Sequence, residues 1–249
     1  MAFYFEEING YKVLKSDLGV NVGLNHCFTT RGINISQFKT VIPNLFRNLT
    51  KLESEFQANK TLNQVQSDIK IISPQQTHSD HVEIVDNRIE YPDTDGLIIS
   101  QKNIPIALRF ADCTPLIFYD TKQKIGAVSH AGWRGTAQKI GPKTIQKMSA
   151  NFDSNPKDII AIIGPAIGLC CYEVSDEVRG KLLETVKDTS GLVQGRNVDL
   201  KQINSRQLEE IGVTKIDVCP YCTSCNNDLF YSYRKENGTS ERHYAVLML

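Results

Sequence analysis

The stretch IPIALRFADCTPLIFYDTKQKIGAVS, Ile104 to Ser129, sets three apolar runs in succession, separated by ADCTP at 111–115 and DTKQK at 120–124. Runs of this length, rich in Ile and bounded by turn residues, predict neighbouring strands over Ile104 to Phe110, Leu116 to Tyr119 and Ile125 to Ser129. The same signal extends outward. Val22 to Thr29, Ile69 to Ile72, His81 to Val85, Leu97 to Ile99, Ile159 to Ile163 and His243 to Leu249 also read as strands. Apolar residues at three-to-four spacing predict helices over Val41 to Phe56, Thr136 to Ala150, Asp176 to Lys187 and Leu200 to Ile211. Dense central strands with helices mostly outside them predict a mixed α/β domain with one large sheet or two packed sheets. Ser190 to Asn197 and Glu236 to Glu241 read as surface loops.

The chain has 249 residues and no shift in composition that would divide it, so one domain is expected. Lys plus Arg and Asp plus Glu both total 28, which removes any net attraction to a polyanion, and no nucleic-acid partner is expected. Met1 to Tyr11 carries Glu6 and Glu7 and lacks the basic and apolar regions of a secretory signal. No apolar run approaches the roughly 20 residues that span a bilayer. No membrane partner and a cytoplasmic location are therefore expected, in which case the sequons at Asn48 and Asn237 carry no meaning. Seven cysteines, an odd number with Cys170 and Cys171 adjacent, fit reduced thiols and a metal site better than a disulfide framework.

QQTHSDH at 75–81, ADCTP at 111–115 and VSHAGWRG at 128–135 place His78, Cys113 and His130 where strand-like runs meet turns. Two imidazoles and a thiol are three of the four ligands of a tetrahedral zinc, and a site with three protein ligands leaves a position for water or substrate. Taken singly, each residue is more often packed or hydrogen-bonded than metal-bound. Asp112 and Arg134 strengthen the functional reading by placing charges in apolar stretches, where a charge is paired or functional. Gly132 and Gly135 suggest a close backbone approach. A helix after Gly135 would turn its N–H groups toward an anion at the site. Arg31, Arg134 and Arg234 follow or end apolar segments, and guanidinium groups suit bidentate phosphate binding. Arg31 and Arg134 are the favoured substrate contacts, with an ordinary ion pair as the alternative for each.

Two further patterns compete. His81-x-Glu83 with PYCTSC at 220–225 resembles the two halves of a nucleobase deaminase site, but Pro220 stands one residue too early and the halves lie far apart. Cys219, Cys222 and Cys225 could hold a second metal with a fourth ligand from elsewhere, although buried thiols are the expectation.

The strings FTTR ending at Arg31, QTH ending at His78, RFADCTP around Cys113, SHAGWRG around His130, IGPAIGLCCYEV at 163–174 and LFYSYR ending at Arg234 closely resemble the laccase-domain family, the YfiH-type polyphenol oxidases. The resemblance runs from about Phe28 to the C-terminus in matching order. It implies an α+β fold, a layered sandwich with two mixed β-sheets packed between helices. It also implies one metal, usually zinc with copper possible, held by His78, Cys113 and His130 at the catalytic centre. The implied activity is phosphate-dependent cleavage of adenosine, inosine and methylthioadenosine, with adenosine deamination as well. Purine nucleosides and phosphate are then the partners, and the protein a monomer or small homo-oligomer. Asp112 is expected to orient a ligand or to meet Arg134, so that Arg31, Arg134 and Asp112 form the substrate side.

Multicopper oxidation needs clusters of histidines, which five histidines cannot supply. Peptidoglycan-precursor editing is a second activity that the resemblance implies. A cysteine hydrolase with Cys113 as nucleophile and His130 as base is another alternative, excluded if metal sits on Cys113. A binding module without turnover ranks last. Two departures from the family's strings are Ser129 before His130 and the single Gly32 after Arg31.

Overall fold

The computed structural model describes residues 2–33 and 71–249. It opens with an unanticipated hairpin, β1 (Phe3–Ile8) and β2 (Tyr11–Ser16). Asn9 and Gly10 both take positive φ, 52° and 78°, as a two-residue turn matched to strand twist requires. A short helix α1 (Asp17–Asn21) leads to β3 (Asn25–Thr29), β4 (Val82–Ile84), β5 (Gly96–Ile99), β6 (Ile106–Phe110), β7 (Thr114–Asp120) and β8 (Ile125–Ala131). Helices α2 (Trp133–Ala137) and α3 (Ile140–Phe152) precede β9 (Ile159–Ile163), and α4 (Asp176–Leu183) precedes the small ladder of β10 (Val193–Gln194) and β11 (Asn197–Val198). Then come α5 (Leu200–Glu210), β12 (Lys215–Val218) and β13 (His243–Met248).

Two sheets face one another. The first has the order β1-β2-β3-β13-β6 and is antiparallel at every pairing, while the second, β12-β9-β7-β8-β5-β4, is mixed. Phe28, Leu108 and Leu247 from the first meet Ile99, Ile117, Val128 and Ile162 from the second in one cluster. The alternate residues of the second sheet, Ile98, Leu116, Phe118, Ala127 and Ile163, bury against Ile145 and Met148 of α3 and Leu208 of α5. With both faces covered, β7, β8 and β9 are buried at every position, which is why they read as continuous apolar runs rather than alternating ones. The fold is therefore α+β and layered, as the family resemblance implies.

Several expected boundaries move. The strand at 22–29 begins only at Asn25, and β7 and β8 run two residues beyond their apolar runs to carry Thr114 and His130. The helix expected over 136–150 is two helices. Lys139, at φ 59°, breaks it between α2 and α3. Part of the loop expected at 190–197 pairs as β10 and β11. The helix expected over 41–56 and the first half of the strand at 69–72 lie outside the described residues, although Ile72 bridges to Ile106.

Candidate metal centre and its cavity

The second sheet brings the three motifs to one edge through its register. Pro115 pairs with His130 and Thr114 with Ala131, so Cys113, just before β7, arrives beside the end of β8. Gly96, which opens β5, pairs with Ser129 on the other side of β8, and this puts Asp95 next to His130. The ligand atoms of His78, Cys113 and His130 lie within 4.8 Å of one another.

Asp95 is fully buried and ties the edge together. Its Oδ1 accepts from His130 Nδ1 at 2.7 Å and from the His78 N–H at 3.1 Å. Its Oδ2 accepts from the N–H groups of Thr77 (3.0 Å) and Ser79 (2.7 Å) and from the Ser79 hydroxyl (2.9 Å). These donors hold the turn in which His78 takes φ 65°. Burial alone would raise the Asp95 pKa, but the hydrogen bond and charge of His130, with the N–H groups of Ser79 and Thr77, hold it at about 2. A carboxylate on Nδ1 leaves the other ring nitrogen of His130 free to bind a metal.

Cys113 and His130 favour each other's charged forms. Burial opposes charge on both, yet the charge of His130 and hydrogen bonds from both imidazoles lower the Cys113 thiol to about 6. The Cys113 thiolate and the Asp95 carboxylate raise His130 to about 9. A soft thiolate and two imidazoles at this spacing fit a tetrahedral ion of zinc's ligand preference with its fourth position open. Gly132 completes the fit, since a Cβ there would lie 3.0 Å from Cys113 Sγ and 3.2 Å from His78 Cδ2.

A cavity of about 480 Å³ opens over the group, lined among others by Arg109, Asp112, Tyr172, Arg234 and Arg242. Asp112, at φ 83°, accepts from the Thr223 hydroxyl at 2.6 Å and the Arg234 N–H at 2.7 Å. It anchors the wall through those contacts rather than through Arg134. Arg134 is exposed and stacks on Trp133 at 4.5 Å. Arg31 makes a two-pronged pair with Glu236 at 2.9 and 3.3 Å and lies over Tyr231. Neither Arg31 nor Arg134 is among the residues lining the cavity, which makes the ion-pair alternative the observed state of Arg31. α2, just five residues long from Trp133, takes Gly135 into its body, so the helix begins three residues earlier than expected.

Sequence reasoning missed Asp95, Arg109, Tyr172 and Arg242. Asp95 sits in PDTDG at 92–96, which reads as a turn, and its one signal is an acid one glycine before the apolar run LII. Among the described residues none of the Arg109, Arg234 and Arg242 guanidinium groups pairs with a carboxylate; those of Arg234 and Arg242 hydrogen-bond only the backbone carbonyls of Glu173, Thr239 and Glu241, and that of Arg234 also lies over the Tyr172 ring. The deaminase-like pattern is not assembled: among the described residues Cys222 and Cys225 gather with Cys170 and Cys171 rather than with His81, which pairs with Glu83 at 2.9 Å. Cys219 is buried in the core, whereas Cys225 is exposed and gathers with Cys170, Cys171 and Cys222. The expectation of three buried thiols therefore holds for Cys219 and Cys222 and fails for Cys225.

Known proteins share this architecture. YlmD from Geobacillus stearothermophilus superposes with a TM-score of 0.76 at 27% identity over 98% of both chains, and the Bacillus licheniformis hypothetical protein YfiH with 0.73 at 26% over 98% of both. The purine nucleoside phosphorylase YlmD of Bacillus subtilis (strain 168) is 37% identical over 161 residues, 62% of this chain and 58% of that protein. This chain thus matches less than two thirds of that relative's length. A purine nucleoside phosphorylase of Staphylococcus aureus (strain MRSA252) is 30% identical over 253 residues, 92% of this chain and 91% of its own length. The sequence model of the multi-copper polyphenol oxidoreductase laccases matches residues 25–249. Since that match runs from the first residue of β3 through every strand and turn that builds the His-Cys-His edge, the chain belongs to this laccase-like family.

Proposed function

We propose that the protein is a zinc-dependent purine nucleoside phosphorylase that cleaves adenosine, inosine and S-methyl-5′-thioadenosine with phosphate and deaminates adenosine at the same site. The observation that carries this reading is the cavity itself, where three arginines whose guanidinium groups have no carboxylate partner among the described residues flank a His-Cys-His group. The names of the relatives in Bacillus and Staphylococcus support it. His78, Cys113 and His130 hold the ion, which supplies Lewis acidity beside the substrate when bound.

The chain's own residues do the rest. Arg109, Arg234 and Arg242 hold phosphate, a dianion that matches their surplus charge. Tyr172 and Tyr233, which both line the cavity, offer rings against which a planar base can pack. A phosphate oxygen bonds to the anomeric carbon as the bond to the purine nitrogen breaks, and the base leaves with the electron pair and takes up a proton. In deamination water replaces phosphate as the nucleophile, attacks the purine ring and displaces ammonia. Asp95 keeps His130 in one tautomer throughout. The acidic Cys113 thiol and its His130 partner favour a cysteine hydrolase as the second reading, which metal on Cys113 would exclude.

Incubation of the purified protein with adenosine, with and without phosphate, tests the proposal beside metal analysis of the same sample. Adenine and ribose 1-phosphate formed only with phosphate, and inosine in both, are expected. Cys113→Ala and His130→Ala should lose metal and turnover together while keeping the fold. Full turnover in metal-free protein would overturn the metal's role, and turnover kept by the metal-free parent but lost in Cys113→Ala would favour the hydrolase.

A further inference from the structure

The fold brings four more cysteines together on the far side of the cavity wall. β9 and β12 lie parallel, with Ile163 opposite Val218 as their last pair, and the chain continues side by side past both ends. Ala166 bridges to Cys222, and the Thr223 N–H bonds the Ala166 carbonyl at 3.0 Å. One exit then turns through Cys170 and Cys171, the other through Cys222 and Cys225. The four sulfurs lie within 4.8 Å of one another, with Cys225 3.5 Å from Cys170 and 3.4 Å from Cys171.

We propose that Cys170, Cys171, Cys222 and Cys225 form a second, four-thiolate zinc site that clips these two loops together. A tetrahedral zinc with bonds of about 2.3 Å needs its sulfurs about 3.8 Å apart, so the observed spacing requires only small side-chain adjustment. Cys222-x-x-Cys225 has the spacing of a zinc knuckle. The Gly168 N–H donates to Cys222 Sγ at 3.2 Å, the kind of outer bond that steadies a thiolate ligand. A Cβ at Gly168 would crowd Cys222 Cβ at 3.3 Å and touch Cys170 Sγ at 3.5 Å. Cys222 is buried while Cys170 and Cys225 are exposed, so an ion can enter from solvent and bind at the surface.

With all four positions taken by protein, this site is closed, unlike the His-Cys-His group, and its role is structural. The loops it joins build the cavity wall. Ile167 and Tyr172 flank the first cysteine pair and line the cavity. Thr223, between the second pair, donates to Asp112, which in turn accepts from the Arg234 N–H. The proposal does not depend on which reaction the cavity performs.

The full chain, purified under reducing conditions and freed of loose metal, should carry about two zinc ions, one three-ligand and one four-thiolate. Cys225→Ser and, separately, Cys170→Ser with Cys171→Ser should each remove one and leave the His-Cys-His ion. Cys113→Ala should do the converse. Cobalt in place of zinc in Cys113→Ala should show the visible absorption of a tetrahedral tetrathiolate. Should the serine variants fail to fold, alkylation of the unmutated protein decides, because Cys170 and Cys225 should resist iodoacetamide until a chelator is added. Rapid alkylation of both without chelator would overturn the proposal. So would a Cys225 disulfide seen by mass spectrometry in that protein, or a single zinc lost only on changing His78, Cys113 or His130.

Discussion

Asp95 is the residue on which the His-Cys-His edge depends. It accepts from His130, from three successive backbone N–H groups and from the Ser79 hydroxyl. Asp95→Asn keeps the shape but loses the charge and one acceptor, so metal affinity should fall about 10–100-fold, as loss of an outer-shell carboxylate does. Competition with a chromogenic chelator measures this, and unchanged affinity would show that His130 needs no orienting partner. Arg234 tests the cavity in another way. Arg234→Ala should raise KM for phosphate about tenfold, near 1.4 kcal/mol, while inosine formation without phosphate stays close to normal. Equal losses in both reactions would remove Arg234 from phosphate binding.

At the scale of elements, the break between α2 and α3 is costly locally. Lys139 occupies the left-handed region at φ 59°, where a side chain is strained and glycine is not. Lys139→Gly should therefore stabilise the protein by about 0.5–1 kcal/mol, visible as a raised Tm. A fall in Tm would mean that the Lys139 side chain makes a compensating contact. The apolar period of α3 continues through Thr136 and gave no warning of this break. The hairpin of β1 and β2 was legible from Asn9-Gly10, but its strands alternate with charged residues and carry a weak apolar signal. β12, KIDV, is too short for any period to show.

For the molecule as a whole, two buried histidines set an acid limit. His26 receives the Ser16 N–H on Nε2 at 3.0 Å and turns Nδ1 to the Leu24 carbonyl at 3.1 Å, an arrangement suited to the neutral ring. Burial outweighs the Leu24 bond and lowers its pKa to about 4, and burial likewise lowers His243, packed between Phe110 and Phe230, to about 3. Both folded values lie below the ordinary value of about 6.5, so the unfolded chain takes up protons first as pH falls. The stability is fully present above pH ~6.5 and drains away as pH falls toward the folded values, by about 2 kcal/mol per histidine at pH 5. Urea unfolding at pH 7 and pH 5 should show the loss, and His26→Gln should remove roughly half of the slope. A flat profile in the parent protein would mean that both rings titrate in the fold near their ordinary value.

Apolar runs alone located the central strands, because a sheet covered on both faces buries consecutive residues of β7, β8 and β9 and so favours unbroken apolar stretches in each. The strings around His78, Cys113 and His130 likewise announced soft ligands at strand ends, since residue type and a following turn are local facts. The tertiary structure alone decided which charges meet them. Asp95 reaches His130 only through the register of β5 on β8, and Arg109 of β6 meets Arg234 and Arg242 of the connection into β13, while Arg31 is drawn away to Glu236. The four clustered cysteines are equally non-local, for they meet only because β9 and β12 run parallel. A sequence records the chemistry of each side chain, whereas strand pairing decides which distant side chains share a few ångströms.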